Sequence, residues 1–193
     1  MMGIEVVCAG KIRPGVMLAP NHVGYLDILV MASLTPAVFV GKAEVKGWPV
    51  FGWFARWAGS LFIRRERKSD LVRVGEQLAP VLEADVNLII FLEGTSTDGS
   101  DMRKFRPGLL EPIVRTNTPV APVCISYTVS APHDAGVDVG WWGTMPLAPH
   151  LVKLAGLPDV KASVVVGEPV QDSPDRKQLA NALESWIRSQ LRG

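Results

Sequence analysis

The chain of 193 residues alternates between short apolar runs and longer segments with helical periodicity. The run "LIIFL", for example, is almost continuously apolar and is followed by a glycine-rich turn. Such strands fit a sheet that is buried on both faces, so the alternation predicts a single α/β domain with a mixed, largely parallel sheet flanked by helices. The predicted strands are residues 16–19, 37–40, 60–64, 87–93, 120–126 and 160–167.

Two segments have the apolar spacing of amphipathic helices. The first is residues 70–83, with Ser69 as the expected N-cap, and the second closes the chain after Ser173 and Pro174, an expected cap and first-turn pair. Residues 127–149 show neither period and are predicted to form a long excursion. We expect one domain over residues 1–193, with a motif-bearing core over about 16–126 and a C-terminal part over 127–193.

Composition excludes several classes of function. The chain has 20 basic and 19 acidic residues, a net charge of +1, which gives no reason to expect a nucleic-acid partner. Cys8 and Cys124 lie in apolar neighbourhoods and are predicted to be buried free thiols in a reducing compartment. No apolar run approaches the roughly 20 residues of a membrane span, and the charges among residues 1–20 argue against a signal peptide.

The stretch "APNHVGYLDILV" places His22 five residues before Asp27. His133 and Asp138 have the same spacing, so spacing alone identifies no pair. His22 lies where a predicted strand meets a predicted helix, the position at which α/β domains bind ligands, whereas His133 is predicted to be a solvated loop histidine. Five residues on a helix span about 140° of rotation, so a pair requires a bent loop, which Gly24 permits.

Three further stretches follow in the order "GSLFIRRER", "IIFLEGTSTDG" and "PVAPVCIS". With the His-x4-Asp pattern they make four successive blocks that resemble those of the glycerolipid acyltransferase family, which comprises PlsC-type lysophospholipid acyltransferases. The resemblance covers about residues 16–126 and implies a fold like that of glycerol-3-phosphate acyltransferase. It also implies an O-acyltransferase that moves a fatty acyl chain from acyl-CoA or acyl carrier protein to a lysophospholipid such as 1-acylglycerol-3-phosphate, in phospholipid biosynthesis.

The resemblance implies a role for individual residues. His22 would be the general base that deprotonates the acceptor hydroxyl, and Asp27 would orient its ring and stabilise the imidazolium. No metal and no cofactor beyond the thioester co-substrate are implied. The expected substrate-binding residues are Asn21, Arg65, Glu93, Gly94, Thr95, Arg103, Lys104 and Arg106.

Three positions depart from the blocks of the family. Arg64 stands where an aspartate is common, Leu92 replaces a proline, and Ser96 replaces an arginine that would help to hold the acceptor's phosphate. The form "EGTSTDG" and the later "WWGTMPLAPHL" look more like the branch that acylates lyso-ornithine lipid, which is therefore an alternative acceptor. Phosphate would otherwise be met by Arg65, or by the basic residues that follow the turn.

The aromatic stretch "WPVFGWFARW" has two interpretations. It could lie in the headgroup region of a membrane, as tryptophan-rich segments do, or pack in the core and line an acyl tunnel. We expect peripheral attachment to the cytoplasmic face of a membrane, without a transmembrane helix in this chain.

Two other functions stay open from the sequence. A thioesterase or lipase would use water as the acceptor, but the chain lacks a Gly-x-Ser-x-Gly nucleophile elbow. A non-catalytic lipid-binding domain that keeps the fold is the other alternative, and the departures at Leu92 and Ser96 support it.

Overall fold

The computed structural model describes residues 3–42, 61–63 and 80–192. Within these ranges the strands are β1 (Gly3–Ala9), β2 (Met17–Pro20), β3 (Ala37–Lys42), β4 (Leu61–Ile63), β5 (Asn87–Ile90), β6 (Val120–Thr128) and β7 (Asp159–Val166). The helices that lie wholly within these ranges are α1 (Leu26–Leu34), α2 (Glu111–Arg115, preceded by a 3₁₀ turn at Pro107–Leu110), α3 (Ala135–Asp138), α4 (Leu147–Ala155) and α5 (Arg176–Leu191).

The described strands form one seven-stranded sheet in the order β1-β7-β6-β2-β5-β3-β4. Neighbouring strands are parallel except for β6 and β7, which are antiparallel. The predicted α/β fold with a mixed, largely parallel sheet is confirmed, and each of the six predicted strands overlaps an observed one. The central strand β2 pairs with both β5 and β6, so the segments that follow these three strands meet at one edge of the sheet.

Both faces of the sheet are buried, which explains the nearly continuous apolar strands. Successive residues of a strand point to opposite faces, so Leu18 joins the core beneath α1 whereas Met17 joins the core beneath α5. The α1 side includes Leu26, Val30 and Met31, and the α5 side includes Leu179, Leu183 and Ile187. None of the helices in the described part of the chain has the length and apolar character needed to cross a bilayer.

Strand β1 was not predicted. It lies at the edge of the sheet, paired in parallel with β7 from Gly3 to Ala9, and most of its residues are exposed. An edge strand with so little burial carries a weak apolar signal. The prediction that Cys8 is buried is wrong for the same reason, whereas Cys124 on β6 is buried as expected.

The C-terminal helix is confirmed, but its start was placed too early. Asp175, and not Ser173, is the N-cap of α5, and its carboxylate accepts a hydrogen bond from the backbone N–H of Lys177. Residues 127–149 are not a single excursion, because they hold the end of β6, all of α3 and the start of α4. Of the predicted helix over 70–83, residues 80–83 are helical and the others, with Ser69, lie outside the described residues.

Candidate active site

The side chains of His22 and Asp27 meet at the carboxyl end of β2. His22 lies in the loop between β2 and α1, and Asp27 lies in the first turn of α1. His22 Nδ1 is 2.8 Å from Asp27 Oδ2, so the loop bends as the pairing requires. Asp27 is completely buried, whereas the His22 side chain is 20% exposed. The carboxylate is therefore sealed from solvent while the imidazole stays accessible.

Asp27 receives hydrogen bonds on both carboxylate oxygens. Oδ2 accepts from the backbone N–H groups of Val23 at 2.7 Å and Gly24 at 3.0 Å, as well as facing His22. An ionised carboxylate can only accept, so the proton of the neutral His22 ring resides on Nδ1 and Nε2 carries the lone pair. The loop thus folds around the Asp27 carboxylate, and this carboxylate fixes the His22 tautomer that a general base needs.

Tyr127 completes the environment of Asp27. It lies on β6, and its hydroxyl donates a 2.7 Å hydrogen bond to Asp27 Oδ1. Burial, together with the neighbouring Asp27 charge, holds the pKa of Tyr127 well above its usual value, so this hydroxyl stays a donor. Nothing in the local sequence pointed to Tyr127, because its contact depends on the placement of β6 beside β2.

Phe91 flanks the imidazole. It directly follows β5, and its ring stacks on that of His22 with centroids 4.1 Å apart and an interplanar angle of 25°. Phe91 itself is buried. The stack restricts rotation of the imidazole plane, so the direction in which Nε2 points is set by Phe91 as well as by Asp27.

Glu93 links the His22 loop to the third block. Its Oε1 accepts the backbone N–H of His22 at 2.7 Å, and Oε2 accepts that of Arg103 at 2.6 Å. Burial raises the pKa of Glu93 to about 7, outweighing these two hydrogen bonds, which act in the opposite direction. Its observed contacts hold two backbone segments together, and its substrate-binding role stays a prediction.

The turn after Glu93 is tight and partly buried. Gly94 has a φ of +80°, a left-handed conformation that favours glycine, and its N–H bonds to the carbonyl of Phe91. Thr95 is half-buried beside it. Ser96 is buried, and its hydroxyl donates a 2.5 Å hydrogen bond to the carbonyl of Trp141. The residue that replaces the family's arginine is therefore committed to a backbone contact.

Asn21 is buried and bridges β2 to β6. Its Nδ2 donates to the carbonyl of Ile125 at 2.9 Å, and its Oδ1 accepts the N–H of Ile125 at 2.7 Å. Both ends of the amide are thus used to anchor the start of the His22 loop. A substrate-binding role for Asn21 stays a prediction, whereas the observed contacts are structural.

The three basic residues beyond the turn are exposed. Arg103, Lys104 and Arg106 lie in the segment whose backbone bonds to Glu93 and to the carbonyl of Leu92. They are therefore tethered near His22 through the main chain while their side chains face solvent. Several residues of the sequence prediction lie outside the described residues: Arg65, Arg64, Gly59 and the stretch "WPVFGWFARW".

The second His-x4-Asp pair differs from the first. His133 is exposed, as predicted, but it is not a free loop histidine, because its Nδ1 lies 3.5 Å from Asp138 Oδ2. Asp138 is paired mainly with Lys153 of α4, and this contact lowers the pKa of Asp138. The pair therefore belongs to a charge cluster that joins α3 to α4.

The chain is similar in sequence and in fold to known acyltransferases. A family model described as Acyltransferase matches residues 4–126. The lyso-ornithine lipid O-acyltransferase of Pseudomonas aeruginosa is 35% identical over 98% of this chain and 73% of its own length. The lyso-ornithine lipid O-acyltransferase of Rhodobacter capsulatus is 36% identical over 88% of this chain, and the match spans 63% of the length of that relative. The crystal structure of the 1-acyl-sn-glycerophosphate acyltransferase PlsC from Thermotoga maritima shares the fold, with a TM-score of 0.67, 23% identity, and coverage of 97% of this chain and 71% of that one.

Proposed function

The chain belongs to the Acyltransferase family, and we propose that it transfers a fatty acyl chain from a thioester to the hydroxyl of a lysolipid. The observation that carries this proposal is the 2.8 Å contact between His22 Nδ1 and a fully buried Asp27, beside an accessible imidazole. The arrangement provides a base for an external alcohol, because an alcohol is a poor nucleophile at neutral pH until its proton is removed.

In the proposed reaction, Nε2 of His22 accepts the proton of the acceptor hydroxyl while the hydroxyl oxygen bonds to the thioester carbonyl carbon. Asp27 stabilises the imidazolium that forms, and Tyr127 and the loop N–H groups keep the carboxylate in place. The tetrahedral intermediate then collapses as its carbon–sulfur bond breaks. The imidazolium returns the proton to the leaving thiolate, and the products are the acylated lipid and a free thiol.

We propose lyso-ornithine lipid as the acceptor. Ser96 supports this choice, since its buried hydroxyl is occupied by the Trp141 carbonyl and offers no cation to a phosphate. Two relatives named for this acceptor are 36% and 35% identical to this chain over 88% and 98% of its length. The donor would be acyl-CoA or acyl carrier protein.

A second acceptor, 1-acylglycerol-3-phosphate, is favoured by one observation. Arg103, Lys104 and Arg106 give three exposed cationic side chains in the segment tethered to Glu93. Such a cluster can bind a phosphate monoester, although it lies beyond the turn and not at position 96. This acceptor would place the chain in phospholipid biosynthesis.

An acyl-transfer assay tests both acceptors directly. The purified chain is mixed with a labelled acyl donor, either acyl-CoA or acylated acyl carrier protein. Each reaction contains one acceptor in mixed micelles: lyso-ornithine lipid, 1-acylglycerol-3-phosphate or lysophosphatidylethanolamine. Acylation of lyso-ornithine lipid at the highest kcat/KM is expected. Free fatty acid without acylated lipid would show a hydrolase, and no reaction with any acceptor would show a binding domain.

The lipid substrate also implies where the protein works. We propose peripheral attachment to the cytoplasmic face of a membrane, where a lysolipid acceptor and a water-soluble thioester donor meet. Co-sedimentation with anionic and neutral vesicles tests this. Recovery of the chain in the supernatant with both vesicle types would contradict it.

A further inference from the structure

His150 is a buried histidine that the reaction proposed above does not use. It lies on α4 and is only 6% exposed. Both ring nitrogens have polar contacts at 2.9 Å: Nδ1 with the hydroxyl of Tyr25, and Nε2 with the carbonyl of Gly140. A buried histidine whose two ring nitrogens are both hydrogen-bonded is held in one orientation, so it can fix the positions of the two groups that it contacts.

The two contacts fix the tautomer of His150. The carbonyl of Gly140 can only accept, so Nε2 carries the proton and Nδ1 accepts from the Tyr25 hydroxyl. Burial lowers the pKa of His150, and the charge of Lys153 acts in the same direction, while the Gly140 bond and Asp138 oppose them. The neutral form is therefore favoured. Burial also raises the pKa of Tyr25 to about 12, so its hydroxyl keeps the proton that it donates.

Tyr25 belongs to the segment that joins His22 to Asp27. It lies between His22 and Asp27 in the chain and immediately precedes α1. Its two preceding neighbours, Val23 and Gly24, supply the backbone N–H groups that bond to Asp27. Any displacement of Tyr25 would therefore change the donors around the carboxylate.

The segment that carries Gly140 and His150 touches the same loop at two more points. The backbone N–H of Trp141 donates a 3.0 Å hydrogen bond to the carbonyl of Val23. Gly24 packs so closely on this segment that an added Cβ would lie 3.0 Å from the Trp141 nitrogen. Ser96 of the third block bonds to the Trp141 carbonyl, so this segment also joins the loop to the turn after Glu93.

We propose that His150 is a positioning residue for the His22–Asp27 pair, acting through the hydroxyl of Tyr25. The inference rests on the proposed acyl-transfer function. His150 does not touch the reacting atoms. It holds Tyr25 with one nitrogen and Gly140 with the other, and it thereby keeps the loop in the bend that brings His22 onto Asp27.

Two substitutions at position 150 separate its two bonds. An asparagine can place its amide oxygen near the position of Nδ1, whereas a glutamine can place its amide nitrogen near the position of Nε2. His150→Asn therefore keeps an acceptor for Tyr25, and His150→Gln keeps only the donor to Gly140. His133→Ala is the matched control, because it removes an exposed histidine outside the loop.

The expected kinetic result is a loss in kcat. His150→Ala and Tyr25→Phe should each lower kcat on the order of tenfold to a hundredfold, with KM for the acyl donor changed less than about twofold. The double variant should lose no more than either single variant, and His150→Asn should regain most of kcat while His150→Gln does not. An unchanged kcat in His150→Ala, or rescue by Gln in place of Asn, would overturn the proposal.

A measurement without substrate separates this proposal from the proposed function. The chain has three histidines, so their side-chain ¹⁵N signals can be assigned by substitution. In the wild-type protein we expect His150 to show an unprotonated Nδ1 and a protonated Nε2. We expect His22 to show a protonated, hydrogen-bonded Nδ1, and this hydrogen bond should weaken in Tyr25→Phe. The opposite His150 tautomer, or a His22 signal unaffected by Tyr25→Phe, would contradict the positioning role of His150 even if acyl transfer is observed. Absence of transfer in the wild type would instead contradict the proposed function.

Discussion

The hydroxyl of Tyr127 donates a 2.7 Å hydrogen bond to Oδ1 of Asp27, although the two residues are 100 positions apart in the chain. Asp27 belongs to α1 after β2, and Tyr127 belongs to β6, the strand next to β2. The fold therefore supplies a buried donor to the carboxylate oxygen that does not face His22. A buried carboxylate needs such donors, because desolvation otherwise favours its protonation.

Replacement of Tyr127 by phenylalanine tests this relationship. Tyr127→Phe leaves Asp27 Oδ1 without the observed donor, and we expect the free energy of unfolding to fall by about 1–3 kcal/mol. The acyl-transfer kcat should fall roughly tenfold because the carboxylate that orients His22 is less well fixed. Urea unfolding and steady-state kinetics measure the two effects. Wild-type kcat in a destabilised variant would limit Tyr127 to a role in folding.

The two histidines with an aspartate five residues later should respond differently to alanine. His22→Ala removes the proposed base, so acyl transfer should fall by about 10²–10⁴-fold. His133→Ala affects an exposed charge cluster on α3 and α4 and should leave kcat within about twofold. Both variants are assayed with the same donor and lysolipid. The reverse order of activities would assign the chemistry to His133.

Local patterns predicted the elements that carry the chemistry. The strands β2, β5 and β6 are buried on both faces and so are almost continuously apolar. His22 lies in the loop after β2, and Asp27 lies in the first turn of the helix that follows this loop. Edge strand β1 lacked that signal because most of its residues are exposed. The helix α5 was predicted from its apolar spacing, but its cap was assigned to Ser173, since several residues near its start can accept the same hydrogen bond.

The partners of the pair could not be predicted because they depend on sheet order. Tyr127 reaches Asp27 from β6, and His150 reaches Tyr25 across 125 residues of chain. Neither residue belongs to a spacing pattern with its partner, and both lie in or next to the stretch that showed no periodicity. Their roles follow only when β6 is placed beside β2 and α4 is placed beside the loop.

Glu93 should make stability depend on pH. Its pKa is raised to about 7 in the folded protein, from an ordinary value of 4.5, chiefly because the carboxyl is buried. Between these two values the folded state binds more protons than the unfolded state, so the free energy of unfolding should fall as pH rises from 4.5 to 7. The contribution of Glu93 is about 3 kcal/mol over this interval. Below pH 4.5 both states are protonated, and the contribution is constant.

Glu93→Gln removes this titration. The glutamine amide can accept from only one of the two backbone N–H groups, of His22 and Arg103, so the variant should also be less stable at pH 5 by about 1–3 kcal/mol. The measurement is urea unfolding of both proteins at several pH values from 4.5 to 8. A wild-type pH dependence that persists unchanged in Glu93→Gln would assign it to other groups.

Ser96→Arg should not convert the protein into an enzyme for 1-acylglycerol-3-phosphate. The Ser96 side chain is buried and its hydroxyl donates to the carbonyl of Trp141. An arginine there would lose that hydrogen bond and would place a larger, charged side chain in a buried position. We expect the free energy of unfolding to fall by about 2–4 kcal/mol, against about 1 kcal/mol for Ser96→Ala. Ser100→Arg adds the same charge at the exposed position that directly follows this block and is the matched control. The measurements are urea unfolding and kcat/KM for lyso-ornithine lipid and 1-acylglycerol-3-phosphate. A stable Ser96→Arg variant with raised kcat/KM for 1-acylglycerol-3-phosphate would show that position 96 can admit a phosphate-binding arginine.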